Sequence, residues 1–317
     1  MGDSKPRAKR NRTITLTPRE KTLYTEQLIT LDRKISSRDI ENKLANQDLF
    51  EAIPFLPEAF VDLLILDPPY NLNKTFESRK FSKKSIADYA DWFESWFVRL
   101  LPTLKKTACV YICCDWQTST SIHLVLEKHL KVRNRITWER EKGRGAKRNF
   151  KNASEDIWFA TVSNEYTFNV EAVKLKRKVL APYTDNAGNP KDWQKTSKGN
   201  FRLTHPSNFW NDITIPFWSM PENTDHPTQK SEKLLAKLIL ASSNKGDLVF
   251  DPFAGVGSTL VTAKKLGRKF LGIEIEKQYC LLAAKRLALA DEEKTIQGYC
   301  DGVFWERNTA SLQKGKD

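Results

Sequence analysis

The sequence predicts an α/β protein built on a doubly wound, mostly parallel sheet, and three observations carry that prediction. Short apolar runs alternate with stretches of helical periodicity, most regularly between residues 234 and 289. Two runs, at 61–66 and 248–250, are apolar at nearly every position instead of alternating, as a strand covered on both faces should be. The second leads into two closely spaced glycines and a helix start, "LVFDPFAGVGST" at 248–259, the form of a ligand-binding strand–turn–helix unit.

The elements follow in order. Residues 1–13 have no periodicity and read as a disordered basic arm. Thr17 can cap a helix, Pro18 suits its first turn and Glu20 completes a capping box. Leu23, Tyr24 and Leu28 then recur at helical spacing, and a short link leads to residues 46–50. A strand at 61–66 precedes a polar stretch at 71–85 (Lys74, Arg79, Lys80, Lys83, Lys84) that reads as a mobile loop. Tyr89, Trp92, Phe93, Trp96, Phe97 and Leu100 mark a helix over 88–101, with Pro102 just beyond it. A strand at 107–113 and a helix at 119–130 come next. Between 161 and 222 Gly, Asn, Pro and Thr interrupt the pattern and aromatics are scattered, as in an inserted recognition element. Regular structure returns with a helix around Leu234, Leu235, Leu238 and Ile239, then a strand at 248–250, a helix at 259–266, a strand at 270–275 and a helix at 279–289. The polar tail carries no signal. These readings divide the chain into a basic arm and helix (1–43), one half of the α/β domain (44–160), an insertion (161–222), the other half (223–290) and a tail (291–317).

The bulk numbers agree. A chain of 317 residues with 40% apolar side chains can bury one main core and carry an insertion. No run approaches the roughly 18 to 20 apolar residues of a membrane span, and the basic N-terminus lacks the apolar stretch of a signal peptide. A cytoplasmic protein with no membrane contact is expected. The five cysteines form no C-x-x-C pair, which predicts reduced thiols and neither disulfides nor zinc. The net charge is +13, and it is clustered: residues 131–202 hold 17 basic and 8 acidic side chains, and residues 1–12 hold five basic and one acidic. Clustered positive charge points to a polyanion partner.

Two stretches carry chemistry. In Asp251-Pro252-Phe253-Ala254-Gly255-Val256-Gly257-Ser258, the glycines allow a tight turn and close approach to a ligand, and the following helix offers its first N–H groups. Glu274 ends the next strand, where a carboxylate can accept from two ribose hydroxyls. The third glycine of a dinucleotide fingerprint is absent, its place taken by Leu260, and no Gly-Lys-Ser/Thr follows. What remains is a pocket for a ribose-bearing cofactor without a pyrophosphate, and S-adenosylmethionine fits. The other stretch, Asp67-Pro68-Pro69-Tyr70, sits where the first strand ends. The prolines fix their φ angles, so the Asp67 carboxylate and the Pro68 carbonyl are aimed together. Two neighbouring acceptors match the two hydrogens of an exocyclic amine. Accepting both shifts electron density onto a nitrogen that ring delocalisation otherwise makes a poor nucleophile. Tyr70 offers a face for a flipped base, and a sulfonium methyl donor requires no metal.

On these motifs the sequence resembles the β-class DNA amino-methyltransferases of restriction–modification or orphan type over roughly residues 44–290. The shared order is Asp-Pro-Pro-Tyr, then the target-recognition region, then the glycine loop. The resemblance implies a Rossmann-like S-adenosylmethionine-dependent fold, with a mixed seven-stranded sheet, one antiparallel strand and permuted motif order. It also implies cofactor contacts at Asp48 and, through "HPTQK" (226–230), at His226, Thr228 and Lys230, the last two toward the methionine carboxylate. "NFKNASEDIWFA" (149–160) resembles the segment before the recognition region. Ser231 departs from the proline usual in the family and is expected to loosen the helix start.

In that family Asp at the first motif position favours N6-adenine and Ser favours N4-cytosine, so adenine is the expected target and N4-cytosine the alternative. A non-catalytic DNA-binding regulator with a degenerate pocket is the reading from another class, and the intact motifs oppose it. Double-stranded DNA is the expected partner at the nucleoid. The family also makes a homodimer and a cognate restriction endonuclease candidates by analogy. Arg144, Lys147, Arg148 and Lys151 are candidates for phosphate contacts, and Lys174, Lys176, Arg177, Lys178, Lys195, Lys198 and Arg202 extend the same basic segment.

Overall fold

The computed structural model describes residues 10–72, 74–76, 79–140, 147–180 and 183–309, with the backbone alone at 74–76 and 79–81. The chain runs α1 (Pro18–Thr25), β1 (Lys43–Asn46), α2 (Leu49–Ala52), β2 (Val61–Leu66), β3 (Lys74–Phe76), β4 (Arg79–Phe81), α3 (Ile86–Leu100), β5 (Leu104–Cys114), α4 (Ser119–His129), β6 (Lys131–Glu139) and β7 (Ser154–Thr161). It continues through β8 (Leu175–Lys178), β9 (Gln194–Thr196), β10 (Gly199–Thr204), β11 (Phe209–Trp210), α5 (Glu232–Ser242), β12 (Leu248–Asp251), α6 (Ser258–Lys265), β13 (Lys269–Glu274), α7 (Lys277–Glu292), β14 (Tyr299–Cys300) and β15 (Val303–Trp305).

Eight strands make the central sheet, in the order β1-β13-β12-β2-β5-β7-β6-β11. All neighbours are parallel except β7, which runs against both β5 and β6. This is the expected mixed sheet with one antiparallel strand, lengthened to eight by the two-residue β11 from the irregular segment. Continuous apolar runs have the predicted cause. Leu64 and Leu66 face a core shared with α3 and α4, while Leu63 and Ile65 face one shared with α5, α6 and α7. All four are at most 1% exposed, so each contributes roughly 1.5–3 kcal/mol of apolar burial.

Strand order positions the cleft. From β2 the chain moves outward to β5, and from β12 it moves the other way to β13, so the crevice opens where the two directions part. The carboxyl ends of β1, β13, β12 and β2 therefore lie side by side, bringing Asp48, Glu274, Asp251 and Asp67 to one edge. Because β7 is antiparallel, its first residues reach that same edge: Asp156 pairs with Cys114, and Ser154 pairs with Glu139 at the end of β6.

The structure corrects several expectations. Residues 71–85 are not simply a loop, since β3 and β4 pair within them. Of the arm expected to be disordered, residues 1–9 lie outside the described residues; Arg12 donates its backbone N–H to the Trp218 carbonyl at 2.6 Å, and Ile14 to Asn223 at 2.8 Å, so its last residues are bonded. A second sheet, β14-β15-β8-β10-β9, combines the irregular segment with the tail that carried no signal. Its small core, including Val173, Ile296 and Phe304, packs on Ala236, Leu240 and Ala241 of α5. All five cysteines are free thiols, four of them buried. Among the described residues no helix is long and apolar enough to cross a membrane.

Candidate active site

The turn after β2 is held from three sides. Tyr89 of α3 donates its hydroxyl to the Pro69 carbonyl at 2.8 Å. Asn71 bonds Lys84 in both directions, at 2.9 and 2.7 Å, and its N–H reaches Thr118 Oγ1 at 3.3 Å. The Asp67 carboxylate is thereby set at the sheet edge. Its Oδ1 accepts from Tyr70 Oη at 3.0 Å and its Oδ2 from Lys230 Nζ at 2.7 Å. Tyr70 Oη lies 3.2 Å from Glu155 Oε2, and Lys230 Nζ lies 3.4 Å from the same oxygen. Arg140 holds the other Glu155 oxygen. Burial disfavours the Lys230 charge, but the Asp67 and Glu155 carboxylates outweigh it and hold the ammonium protonated. Burial first, then the same two carboxylates, push the Tyr70 phenol well above its ordinary range.

The opposite end is built by the glycine turn. Gly255 (φ +50°) donates its N–H to Glu274 Oε2 at 2.8 Å, and Glu276 N–H takes Oε1 at 2.8 Å. Burial raises the Glu274 pKa against those two backbone bonds. Gly257 (φ +72°) precedes α6, and a Cβ there would stand 2.7 Å from Ala283 Cβ on α7. Asp251 is buried, accepts from Phe253 N–H at 3.0 Å, and has its carboxyl pushed up to about 7 by that burial. Behind the turn, buried Arg286 donates to the Val256 carbonyl at 2.7 Å and to Ser258 Oγ at 2.9 Å, with Glu232 as its ion partner at 3.0 Å.

These two ends enclose one cleft of about 620 Å³. Asp67, Pro68, Pro69, Tyr70, Asp48, Pro252, Phe253, Gly255, Glu274, His226, Thr228 and Lys230 all line it. Asp251, Ala254, Gly257 and Ser258 stand behind the lining and support the turn. Asp48 also caps α2, accepting from Phe50 N–H at 2.8 Å, so its helix-capping and cleft-lining roles coexist. Gln229 of the same "HPTQK" stretch braces the loop by accepting from Thr224 N–H at 2.9 Å and donating to the Glu222 carbonyl at 2.7 Å. Ser231 corrects an expectation: it caps α5, accepting from Lys233 N–H at 3.2 Å, so it does not loosen that start.

Sequence reasoning missed Glu155, Arg140, Trp92, Glu276 and Tyr279, all cleft-lining. For Glu155 a signal existed. Two acids, Glu155 and Asp156, stand near the start of an otherwise apolar strand inside a stretch already singled out. The cationic surface is more divided than its sequence. Arg144 lies outside the described residues. Lys147, Arg148, Lys151, Lys195 and Lys198 are exposed. Arg177 pairs with Glu306 at 2.9 Å, Arg202 with Asp192 at 3.3 Å and Lys174 with Glu171 at 2.6 Å. Lys176 lies over the Trp305 ring at 4.6 Å.

A nucleoside cofactor with an amino-acid tail fits this donor set. Leu49, Phe50, Phe253 and Ile275 offer apolar walls for a ring, Glu274 offers acceptors for ribose hydroxyls, and Lys230, Arg140 and Thr228 offer donors for a carboxylate. Comparison with known proteins agrees with that fit. A family model described as DNA methylase matches residues 61–285. The chain is 34% identical over 250 residues to DNA adenine methyltransferase YhdJ of Escherichia coli (strain K12), covering 77% of this chain and 81% of that protein. It is 31% identical over 255 residues to the type II methyltransferase M.HpaI of Haemophilus parainfluenzae, covering 78% and 74%. Among solved structures, the M1.HpyAVI–SAM complex superposes with a TM-score of 0.53 at 26% identity, over 77% of this chain and 98% of that one.

Proposed function

The chain belongs to the DNA methylase family that it matches over residues 61–285, and from that premise we propose a site-specific enzyme that methylates the N6 amine of an adenine flipped out of double-stranded DNA. One observation carries the reading: Asp67 and Glu274, from the two separate sequence motifs, line a single cleft. S-adenosylmethionine, when bound, supplies an electrophilic methyl group. Glu274 and Asp48 hold the nucleoside end, and Thr228 and Lys230 the amino-acid end. Asp67 and the Pro68 carbonyl accept the two amine hydrogens, and the Tyr70 ring stacks the base. The amine lone pair would take that methyl group while the C–S electrons stay on sulfur, and the proton lost from nitrogen would pass to the Asp67 carboxylate that accepts it. The Asp at position 67 favours adenine, although the N4 amine of cytosine offers the same two hydrogens.

Residues 161–222 with β14 and β15 form the target-recognition unit in this reading, and Lys147, Arg148 and Lys151 hold backbone phosphates. The enzyme works on the bacterial nucleoid in the cytoplasm. Its homodimer and its cognate endonuclease stand on family analogy. Asp67→Ala tests the chemistry. Methyl transfer should fall by at least about 10³-fold, because a preorganised acceptor at the reacting atom is lost, while cofactor and DNA affinity persist. Near wild-type turnover in that variant would overturn the mechanism.

A further inference from the structure

Lys230 stands between the two ends of the cleft. Its ammonium donates to Asp67 Oδ2 at 2.7 Å and to Tyr70 Oη at 3.2 Å, while Tyr70 itself donates to Asp67 Oδ1 at 3.0 Å. Both oxygens of the carboxylate that must accept a base amine therefore already have protein donors. An ammonium at that distance also draws charge from the acceptor, which weakens it toward a neutral amine. Meanwhile the cleft lining is acidic, with Asp48, Asp67, Glu155, Glu274 and Glu276. Its Lys and Arg cations among the described residues are Lys230 and Arg140, and Arg140 already holds Glu155. A carboxylate on an entering amino-acid tail would find Lys230 as its ion partner.

A buried ammonium cannot move unpaired without a large desolvation cost. Glu155 removes that obstacle. Its Oε2 lies 3.4 Å from Lys230 Nζ and, anchored by Arg140, can keep the ammonium paired while Asp67 is exchanged for another carboxylate. Lys is suited to this, being a compact charge on a flexible four-carbon stem with three rotatable donors.

We propose that Lys230 is a shared cation that couples cofactor loading to the catalytic carboxylate, with Glu155 as its pivot. It shields Asp67 until the carboxylate of a bound nucleoside–amino-acid cofactor draws it away, and Asp67 is then open to the base amine. The inference rests on the S-adenosylmethionine reading of the cleft. It makes Glu155 a positioning residue that acts through Lys230, and it makes cofactor binding precede productive base binding.

The test needs no DNA and no turnover. Affinity is measured calorimetrically for S-adenosylhomocysteine and for methylthioadenosine, which keeps the nucleoside and thioether but lacks the amino-acid carboxylate. Asp67→Asn releases Lys230 from its rival, so homocysteine-ligand affinity should rise roughly 5- to 10-fold while methylthioadenosine affinity stays the same. In a Lys230→Met background the Asp67→Asn gain should vanish. If Lys230→Met does not fold, the contrast between the two ligands in Asp67→Asn alone decides. An unchanged or weakened homocysteine ligand, an equal gain for both ligands, or a gain that survives Lys230→Met would each overturn the coupling. If wild-type protein binds neither ligand, the cofactor reading itself fails. If it binds both without coupling, only the Lys230 inference fails.

Discussion

In the cleft, buried and half-buried charges hold one another. Lys230 bridges Asp67 and Glu155, and Arg140 closes the group. On the second sheet and its flanks, charges lie near water. Arg177 and Arg202 are spent on Glu306 and Asp192 at side-chain exposures of 44% and 40%, where such pairs are worth little. The difference teaches that a count of cations says little about what they do. Within 131–202 one Arg reaches the ion cluster of the cleft, several pair locally, and another set around 147–151 is exposed. The cleft should therefore respond to substitution and pH, and the exposed set to salt.

The largest effect after loss of Asp67 is expected at Glu274. Glu274→Ala removes acceptors from the ribose end and strands the Gly255 and Glu276 N–H groups, so cofactor affinity should fall about 10- to 100-fold by calorimetry. An unchanged affinity would take Glu274 out of the cofactor site. On the exposed side, replacing Lys147, Arg148 and Lys151 together by Ala should lower the slope of log K against log salt by about 2–3, at near wild-type turnover of bound DNA. If the slope holds, the basic segment does not meet phosphate.

The buried side should titrate. Glu222, beneath the "HPTQK" turn, has its carboxyl pushed up to about 8 by burial and by neighbouring Glu232. Its folded form keeps a proton that the unfolded chain gives up near 4.5, so its contribution is fully present below that pH. Stability should then fall as pH rises toward about 8. Glu222→Gln, permanently neutral, should flatten that fall by on the order of 1 kcal/mol, read as a few degrees in the melting temperature at pH 8 against pH 5. A slope identical to wild type would mean that Glu222 is ionised in the folded protein. The smallest effects belong to the paired surface cations. Arg177→Ala and Arg202→Ala should each change DNA affinity by less than about 0.5 kcal/mol, since their Glu and Asp partners already offset them. A tenfold loss in a binding titration would erase the contrast between the two cationic sets.

How much was legible follows from the same contrast. β2 and β12 announced themselves because strands covered on both faces stay apolar at nearly every position, and β13 by its apolar run between two helices. Asp67 and Glu274 were readable because each ends such a strand. Glu155 carried only a local mark, because its arrival at the cleft depends on β7 running antiparallel and strand direction leaves no trace in "SEDIWFAT", and Arg140, one residue past the end of β6, carried none. β14 and β15 were hidden by being two and three residues long. Lys230 was found by resemblance, but its turn toward Asp67 is a tertiary fact. Lys176 looked like a phosphate contact, and only the fold brings Trp305 from the tail beneath it.

The most direct test of the central claim is transfer of labelled methyl from S-adenosylmethionine to unmethylated bacterial genomic DNA, followed by digestion to nucleosides and sequencing for modified bases. The account predicts N6-methyladenine confined to one short sequence. N4-methylcytosine would contradict the choice of base, and no labelled nucleoside, despite tight binding of cofactor and DNA, would contradict the account of the cleft.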